Sequence, residues 1–439
     1  EVTTRLTKQF GPKRAYDINT PLDSIQHYGV DCWDNAKENM RQIQPGQAEE
    51  RLNTFKQFGT VPDDSSTRNV LLHDKLMRVA VERLLNILPD VVADSKFDET
   101  SAPFETKHTN VGQPFWLNDR VLVISFPKIA RKIKTIITKL GGLVNTLTFG
   151  KVVLEISEEQ NDNTIYCYNV CTAYGRNQRG KGRALIAMSR VMNLYLNRLE
   201  AREIELYKDI PYFIGYKDDV ALKDAMIRMM EYALAHDLVA WNWDQSKFDV
   251  HIPPILLALV GAISEKKARN ALGKRLAIIR AKVGLHSWLI NGMTGKVEEI
   301  FGRMFSGFID TNRGDSLVEY IAFTWALMHL DPDWTKRVAR TPYFMFGMGD
   351  DLLALIHKSK YNPEKLSELM QKLGFELNTE KSAFGIFFLQ YRLFRDGDRW
   401  VMVYPWTRVL RSMLFLEHSR GLGKFGWLLS QYQQLEKLA

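Results

Sequence analysis

Apolar positions along this chain recur with two different periods, and the places where one gives way to the other mark out its elements. From Arg68 to Leu88, the residues Val70, Leu71, Leu76, Val79, Leu84 and Leu85 keep near-helical spacing and predict one amphipathic helix. The run Val121 to Phe126 predicts a strand, followed by Lys128, Arg131, Lys132, Lys134 and Lys139 threaded among isoleucines. A helix is expected over Asp219 to His236. After it comes the apolar stretch Leu238 to Trp243, which ends in Asp244, with Asp249 shortly beyond. Pro253 and Pro254 favour the first turn of a helix, so Asp249 is expected at a strand-to-helix junction.

A second apolar run, Tyr343 to Phe346, leads into Gly349-Asp350-Asp351 and reads as a tight turn between buried strands. Asn362-Pro363 opens a helix through Leu373 that Gly374 closes, and Phe375 to Leu377 is expected as a short strand. Phe387 to Phe394 and Trp400 to Tyr404 flank Arg395-Asp396-Gly397-Asp398, a hairpin signal because Asp-Gly tolerates the positive φ of a tight turn. The longest apolar stretch, Ile252 to Ile263, is too short to cross a bilayer, so no membrane span is expected. No internal repeat or low-complexity tract interrupts the pattern.

The chemistry lies where two apolar strands end in acid. Carboxylates on separate strands suit phosphoryl transfer, in which two divalent cations about 3.5–4 Å apart neutralise the phosphate, the attacking oxygen and the leaving oxygen together. Magnesium takes hard oxygen ligands and completes its shell with water and substrate phosphate, so a few aspartates suffice. Two other acidic pairs, Asp63-Asp64 and Asp218-Asp219, follow no apolar strand and read as solvated turns. Between Arg176 and Arg190 the cations Arg176, Arg179, Lys181, Arg183 and Arg190 surround Gly175, Gly180 and Gly182. That combination brings positive charge and open backbone to a phosphate; its plainer reading is a solvated face.

Composition narrows the class. The 439 residues are 45% hydrophobic, enough for a large core, and the net charge of +8 permits a polyanionic partner without demanding one. Cys32, Cys167 and Cys171 form no disulfide framework, and the Cys-x3-Cys pair lacks the further ligands of a zinc site, which points to a reducing compartment.

Taken in order, these motifs resemble the palm of a viral RNA-dependent RNA polymerase, of the partitivirus and picobirnavirus type found in double-stranded RNA viruses. Asp244-Gln-Ser-Lys-Phe-Asp249 resembles the first palm motif, Ser306-Gly307 with Thr311, Asp315 and Ser316 the second, and Gly349-Asp350-Asp351 the third. Leu377-Asn378 with Lys381-Ser382 resembles the fourth, and Phe388-Leu389 with the hairpin after it the fifth. Upstream, Lys181, Arg183 and Arg190 match the basic finger motif that meets the triphosphate. One departure bears on sugar recognition, because many relatives carry an asparagine in the second motif where the candidate positions here hold Asp315 and Glu319.

The resemblance implies an α+β right-hand polymerase with an antiparallel palm sheet flanked by helices. Residues 1–205 would form an N-terminal extension and fingers, 206–251 and 301–400 the palm, 252–300 a fingers insert, and 401–439 a short thumb. It implies template-directed, two-metal transfer of nucleotides from ribonucleoside triphosphates to an RNA 3′ end, for replication and transcription of a viral genome. Asp244, Asp350 and Asp351 would hold Mg2+, or Mn2+ in its place, and Lys381 would protonate the leaving pyrophosphate. Asp249, Ser306, Gly307, Thr311, Lys181, Arg183 and Arg190 would contact the nucleotide, with Gly307 giving its loop freedom to move. Arg176 and Arg179 would line the RNA path. The expected partners are RNA, ribonucleoside triphosphates and a viral capsid protein, and the expected locations the virion interior and the host cytoplasm. A reverse transcriptase shares this palm but tends to place an aromatic ring where Asp249 stands. A non-catalytic RNA-binding or capsid-associated protein needs no acids on two strands, and a metal-dependent nuclease leaves the finger and hairpin motifs unexplained.

Overall fold

Asp74 divides the first helical region in two. The computed structural model describes residues 63–94, 169–178, 181–188, 190–243, 245, 248–291, 297–304, 307–377, 383–384 and 387–404. Within the first of these ranges, the single helix expected over Arg68 to Leu88 is instead α1 (Ser65–His73) and α2 (Lys75–Ile87). Asp74 takes an extended backbone and its carboxylate accepts from the Leu76 amide at 2.8 Å, capping α2. Apolar spacing continues across the break because α2 still buries Met77, Ala80 and Leu84 against the core.

β1 (Val170–Gln178) and β2 (Lys181–Met188) form an antiparallel pair, and α3 (Arg190–Tyr207) follows. After a 3-10 segment, Pro211–Tyr216, comes α4 (Asp219–Ala235), capped by the Asp218 side chain on the Ala221 amide at 2.8 Å. The pair Asp218-Asp219, expected as a solvated turn, is instead a helix start. β3 (Leu238–Trp243) runs into the short α5 (Phe248–His251), and Pro253 and Pro254 then begin α6 (Pro254–Lys267). Next come α7 (Ala271–Leu285), β4 (His286–Asn291) and β5 (Val297–Phe301).

The centre of the molecule is α8 (Thr311–Leu330), a 20-residue helix buried from Arg313 through Met328. A helix enclosed on every side shows no amphipathic stripe, and this one packs against α2, α6 and the strand that leads into Gly349-Asp350. α9 (Trp334–Val338), β6 (Met345–Met348), β7 (Asp351–His357) and α10 (Pro363–Lys372) follow. Asn362 caps α10 by accepting from the Lys365 amide at 2.7 Å, and Gly374 beyond its end has φ +83°. Of the strand expected over Phe375 to Leu377, only Leu377 pairs, as a bridge to Gln245.

β8 (Ala383–Phe384), β9 (Phe387–Phe388), β10 (Tyr391–Asp396) and β11 (Arg399–Val403) complete the described elements. The β10–β11 hairpin turns at Gly397, φ +58°, as the Asp-Gly signal predicts. The run Phe387 to Phe394, however, is broken by Leu389 and Gln390, both at positive φ, and folds back on itself as β9 and β10. Three sheets result, ordered β2-β1-β4-β5, β11-β10-β9 and β6-β7-β3-β8. The last is antiparallel throughout, and the first contains one parallel pairing, β1 with β4. The expected strand at Val121 to Phe126 with its basic run, Cys32 and Cys167, and residues 405–439 lie outside the described residues.

Candidate active site

The tight turn expected at Gly349-Asp350-Asp351 forms between β6 and β7, with Asp351 as the first residue of β7. Met348 pairs with Asp351, leaving Gly349-Asp350 as a two-residue turn between β6 and β7. Gly349 has φ +63°, a conformation only glycine adopts cheaply, and its amide donates to Ser316 Oγ on α8 at 2.9 Å. The Ser316 hydroxyl donates in turn to the Asn312 carbonyl at 2.6 Å, and the Ser316 carbonyl accepts from the Tyr212 hydroxyl at 2.6 Å. The turn is thus clamped onto the first turns of α8, while Asp350 at its tip is exposed.

β3 arrives beside it. Trp243 pairs with Leu352, so the strand that leads to residue 244 ends next to Asp351. Trp241 and Trp243, two residues apart on one face, lie against each other with their rings tilted by 31° and the centroids 3.5 Å apart; Trp243 also packs on Phe323 of α8. Asp244 itself lies outside the described residues, as do Arg179, Ser306 and Lys381. The next described residue, Gln245, is buried and donates from Nε2 to Glu319 Oε1 at 2.6 Å, tying the first motif to α8.

Electrostatics show how closely the acids gather. Burial first, and then the charges of Asp249 and Asp350, push the Asp315 carboxyl well above the usual carboxylate range. Burial followed by the charges of Asp350 and Asp351 does the same to Glu319. Asp249, from the segment after β3, and Asp350, from the β6–β7 turn, therefore converge on one end of α8. Asp249 is not a helix N-cap; it is the second residue of α5 and partly exposed. Among the described residues no group of three or more histidine, cysteine or acidic side chains has the geometry of a metal site. The donor chemistry nonetheless fits hard divalent cations, since the charges acting most strongly on Asp315 and Glu319 are all carboxylates.

The basic segment forms the β1–β2 pair. Its register sets Arg176 opposite Arg183, with Lys181 on the same strand as Arg183, and Arg190 opens α3. The second-motif loop lies directly against β2. Gly307 bridges Ala187, its amide donates to the Ile186 carbonyl at 2.9 Å, and its carbonyl accepts from the Met188 amide at 3.3 Å. A Cβ at Gly307 would stand 2.5 Å from both Ala187 Cα and the Ile186 carbonyl oxygen. This glycine thus permits close backbone packing, and the expected freedom of movement is corrected. Thr311 begins α8 and donates from its hydroxyl to the Phe308 carbonyl at 2.7 Å.

Sequence reasoning missed a buried ion network behind the site. Arg280 of α7 pairs with Glu200 and Glu203 of α3, and Arg313 of α8 pairs with Glu200 at 3.1 Å and with Asp310. Arg313 also donates to Ser264 Oγ of α6 at 3.1 Å. Three acids face two guanidinium groups, and burial pushes the Glu200 carboxyl up to about 8. The available signal was phase: Glu200 and Glu203 fall in register with Leu196, Leu199 and Tyr207, all buried on α3.

With this geometry in place, solved structures provide the comparison. The chain superposes on the RNA-dependent RNA polymerase of a human picobirnavirus with a TM-score of 0.60 at 14% identity, covering 100% of this chain and 83% of that one. An insertion-loop deletion mutant of the polymerase of a human picobirnavirus gives the same TM-score and identity, covering 89% of this chain and 73% of that one. The fold is that of a right-hand polymerase. No family model and no curated protein matches the sequence. The four-stranded antiparallel sheet β6-β7-β3-β8, flanked by α4 and α8, carries the candidate acids. Among the described residues, no helix is long and apolar enough to cross a membrane.

Proposed function

We propose that this chain is an RNA-dependent RNA polymerase that extends an RNA 3′ end on an RNA template. The convergence of Asp249 and Asp350, far apart in sequence, on one end of α8 within a right-hand fold carries this reading. Asp244, Asp350 and Asp351 would hold two Mg2+ ions, or Mn2+. These ions would lower the pKa of the primer 3′-hydroxyl and neutralise charge on the nucleotide phosphates. Asp350, at the exposed tip of a clamped turn, presents its carboxylate in a fixed position; Asp351, partly buried at the start of β7, supports it from behind. Asp249 accepts a hydrogen bond from the ribose 2′-hydroxyl, leaving room that an aromatic ring would fill, and so favours ribonucleotides over deoxyribonucleotides. Gly307 and Thr311, with Ser306, belong to that same sugar-side loop.

Lys181, Arg183 and Arg190 bind the triphosphate, for which guanidinium geometry suits bidentate contacts, and Arg176 and Arg179 line the RNA path. Lys381 supplies the proton to the departing pyrophosphate. The resemblance to polymerases of double-stranded RNA viruses of the partitivirus and picobirnavirus type extends the proposal to genome replication and transcription. It makes a capsid protein the partner and the virion interior and host cytoplasm the setting.

The test is incorporation of labelled ribonucleotides on a short RNA template with each divalent ion in turn. Asp350→Ala should abolish incorporation and leave RNA binding intact, and deoxynucleotides should extend far more slowly than ribonucleotides. Full activity in the Asp350→Ala protein would remove the metal-site assignment, and equal rates with both sugars would remove the role given to Asp249.

A further inference from the structure

Asn193 has no place in the scheme above, yet from the helix that follows the basic strand it holds the loop before α8. It lies in the first turn of α3, is only 7% exposed, and uses both ends of its amide on the chain just before α8. Its Nδ2 donates to the Gly307 carbonyl at 3.1 Å, and its Oδ1 accepts from the Ile309 amide at 3.1 Å. A planar amide with a donor and an acceptor side by side can pair with two backbone groups of opposite polarity, as a neighbouring strand does. Aspartate lacks the donor and serine lacks the reach.

The groups it satisfies are buried. Ile309 is 6% exposed, so without Asn193 its amide would lose this partner inside the protein. The Gly307 carbonyl would keep only the longer 3.3 Å bond from Met188. Further along α3, Glu200 joins Arg313 on α8 at 3.1 Å, so the helix that carries Asn193 is fixed to the loop's far side as well. Strand β2, the loop 307–310 and the start of α8 are therefore joined at three points: the Gly307–Ala187 bridge, Asn193, and the Glu200–Arg313 pair.

We propose that Asn193 is a positioning residue that makes the strand bearing Lys181 and Arg183 and the loop leading to Thr311 one rigid unit, so that the phosphate end and the sugar end of an incoming ribonucleoside triphosphate are held in fixed relation. The inference rests on the polymerase reading and deepens it. Loosening the joint costs nucleotide affinity because both contacts must then be ordered at binding. The chemistry at the Asp350 turn, clamped separately by Ser316, is left as it was.

The test is steady-state extension by the full chain on a primed RNA template, with ribonucleotide concentration varied. Asn193→Ala should raise the nucleotide KM about tenfold, the kinetic equivalent of one lost buried hydrogen bond. At saturating nucleotide kcat should stay within about twofold, and RNA affinity should be unchanged. A merely structural role predicts the opposite split, a smaller active fraction with lower kcat and unchanged KM, and that result overturns the proposal. If Asn193→Ala fails to fold, Asn193→Asp serves, because it keeps the acceptor for Ile309 and replaces the donation to Gly307 with a carboxylate oxygen set against that carbonyl. Absence of extension by the wild-type chain would overturn the polymerase reading and this inference with it. Wild-type extension with KM unchanged in the variants would overturn this inference alone.

Discussion

Ser316→Ala should slow nucleotide incorporation without touching a reacting group. The hydroxyl accepts from the Gly349 amide at 2.9 Å in a position that is 0% exposed, and cutting the side chain back removes that acceptor. Leaving a buried donor unsatisfied costs about 1–3 kcal/mol. If the turn escapes the penalty by lifting off α8, Asp350 moves with it. The same energy then falls on the transition state, a slowing of about five- to 150-fold at 1.36 kcal/mol per decade. The assay is single-turnover incorporation at saturating nucleotide, with urea denaturation on the same preparations. Tyr212→Phe is the control, because its hydroxyl bonds the carbonyl of Ser316 at 2.6 Å and makes no bond to Gly349. It should cost about 0.5–1.5 kcal/mol of stability and little rate. An unchanged rate in Ser316→Ala, or an equal loss of rate in both variants, would refute the idea that the Ser316 hydroxyl holds the catalytic turn.

The other expectations concern the buried charges. Arg280→Met leaves Glu200, Glu203 and Asp310 to share Arg313 and should destabilise by about 3–5 kcal/mol in urea titrations, with much of the loss recovered when Glu203→Leu is added, since the second change removes an acid in excess of the remaining cation; no recovery would show that the pair contributes through more than charge balance. Glu200 titrates near 8 when folded, against an ordinary 4.5, and Asp315 and Glu319 are raised in the same direction. Each raised carboxyl holds its proton to a higher pH in the folded state than in the unfolded one, so the stabilisation from Glu200 is complete below about pH 4.5 and is lost as pH climbs toward about 8, and Asp315 and Glu319 act in the same direction. Metal-free protein should therefore have a lower denaturation midpoint at pH 8 than at pH 6, and Glu319→Gln, which keeps the acceptor for Gln245, should reduce the difference; a midpoint that rises over this range would contradict the neutral state of these carboxyls.

Elements set by local pattern were legible in the sequence. The apolar strand at Leu238 to Trp243, the turn at Gly349-Asp350, the Asn-Pro start and Gly stop of α10, and the Asp-Gly hairpin each depend on neighbours a few residues away, and each is found where expected. What the sequence concealed depends on distant partners. Asp74 interrupts a continuous apolar stripe because its carboxylate also takes hydrogen bonds from Trp325 and His329 on α8. Leu389 and Gln390 turn the chain at positive φ without the glycine or asparagine that would have signalled it. Gly307 reads as looseness until Ala187, on another strand, is seen against it. The central helix α8 hides its periodicity because Arg313, Asp315 and Glu319 are as buried as its leucines. The convergence of Asp249 and Asp350 was legible only through motif order, since no local rule links residues so far apart.

That central helix sets two opposing forces on one turn of chain. Hydrogen bonds through Ser316, and through Gln245 to Glu319, draw the acid-bearing strands onto α8. Asp315 and Glu319 on the same helix place further carboxyls beneath Asp249, Asp350 and Asp351, where their ionisation would push those strands away. Burial raises both carboxyls well above the usual carboxylate range, which favours their neutral form and weakens that repulsion without removing the acids. Asp350 stays exposed at the tip of a turn held by hydrogen bonds, so in the proposed metal site its carboxylate faces outward, toward where cationic charge would bind. Stability given up by burying carboxyl groups in the core is the cost of a rigid floor that does not compete with Asp350 for that charge.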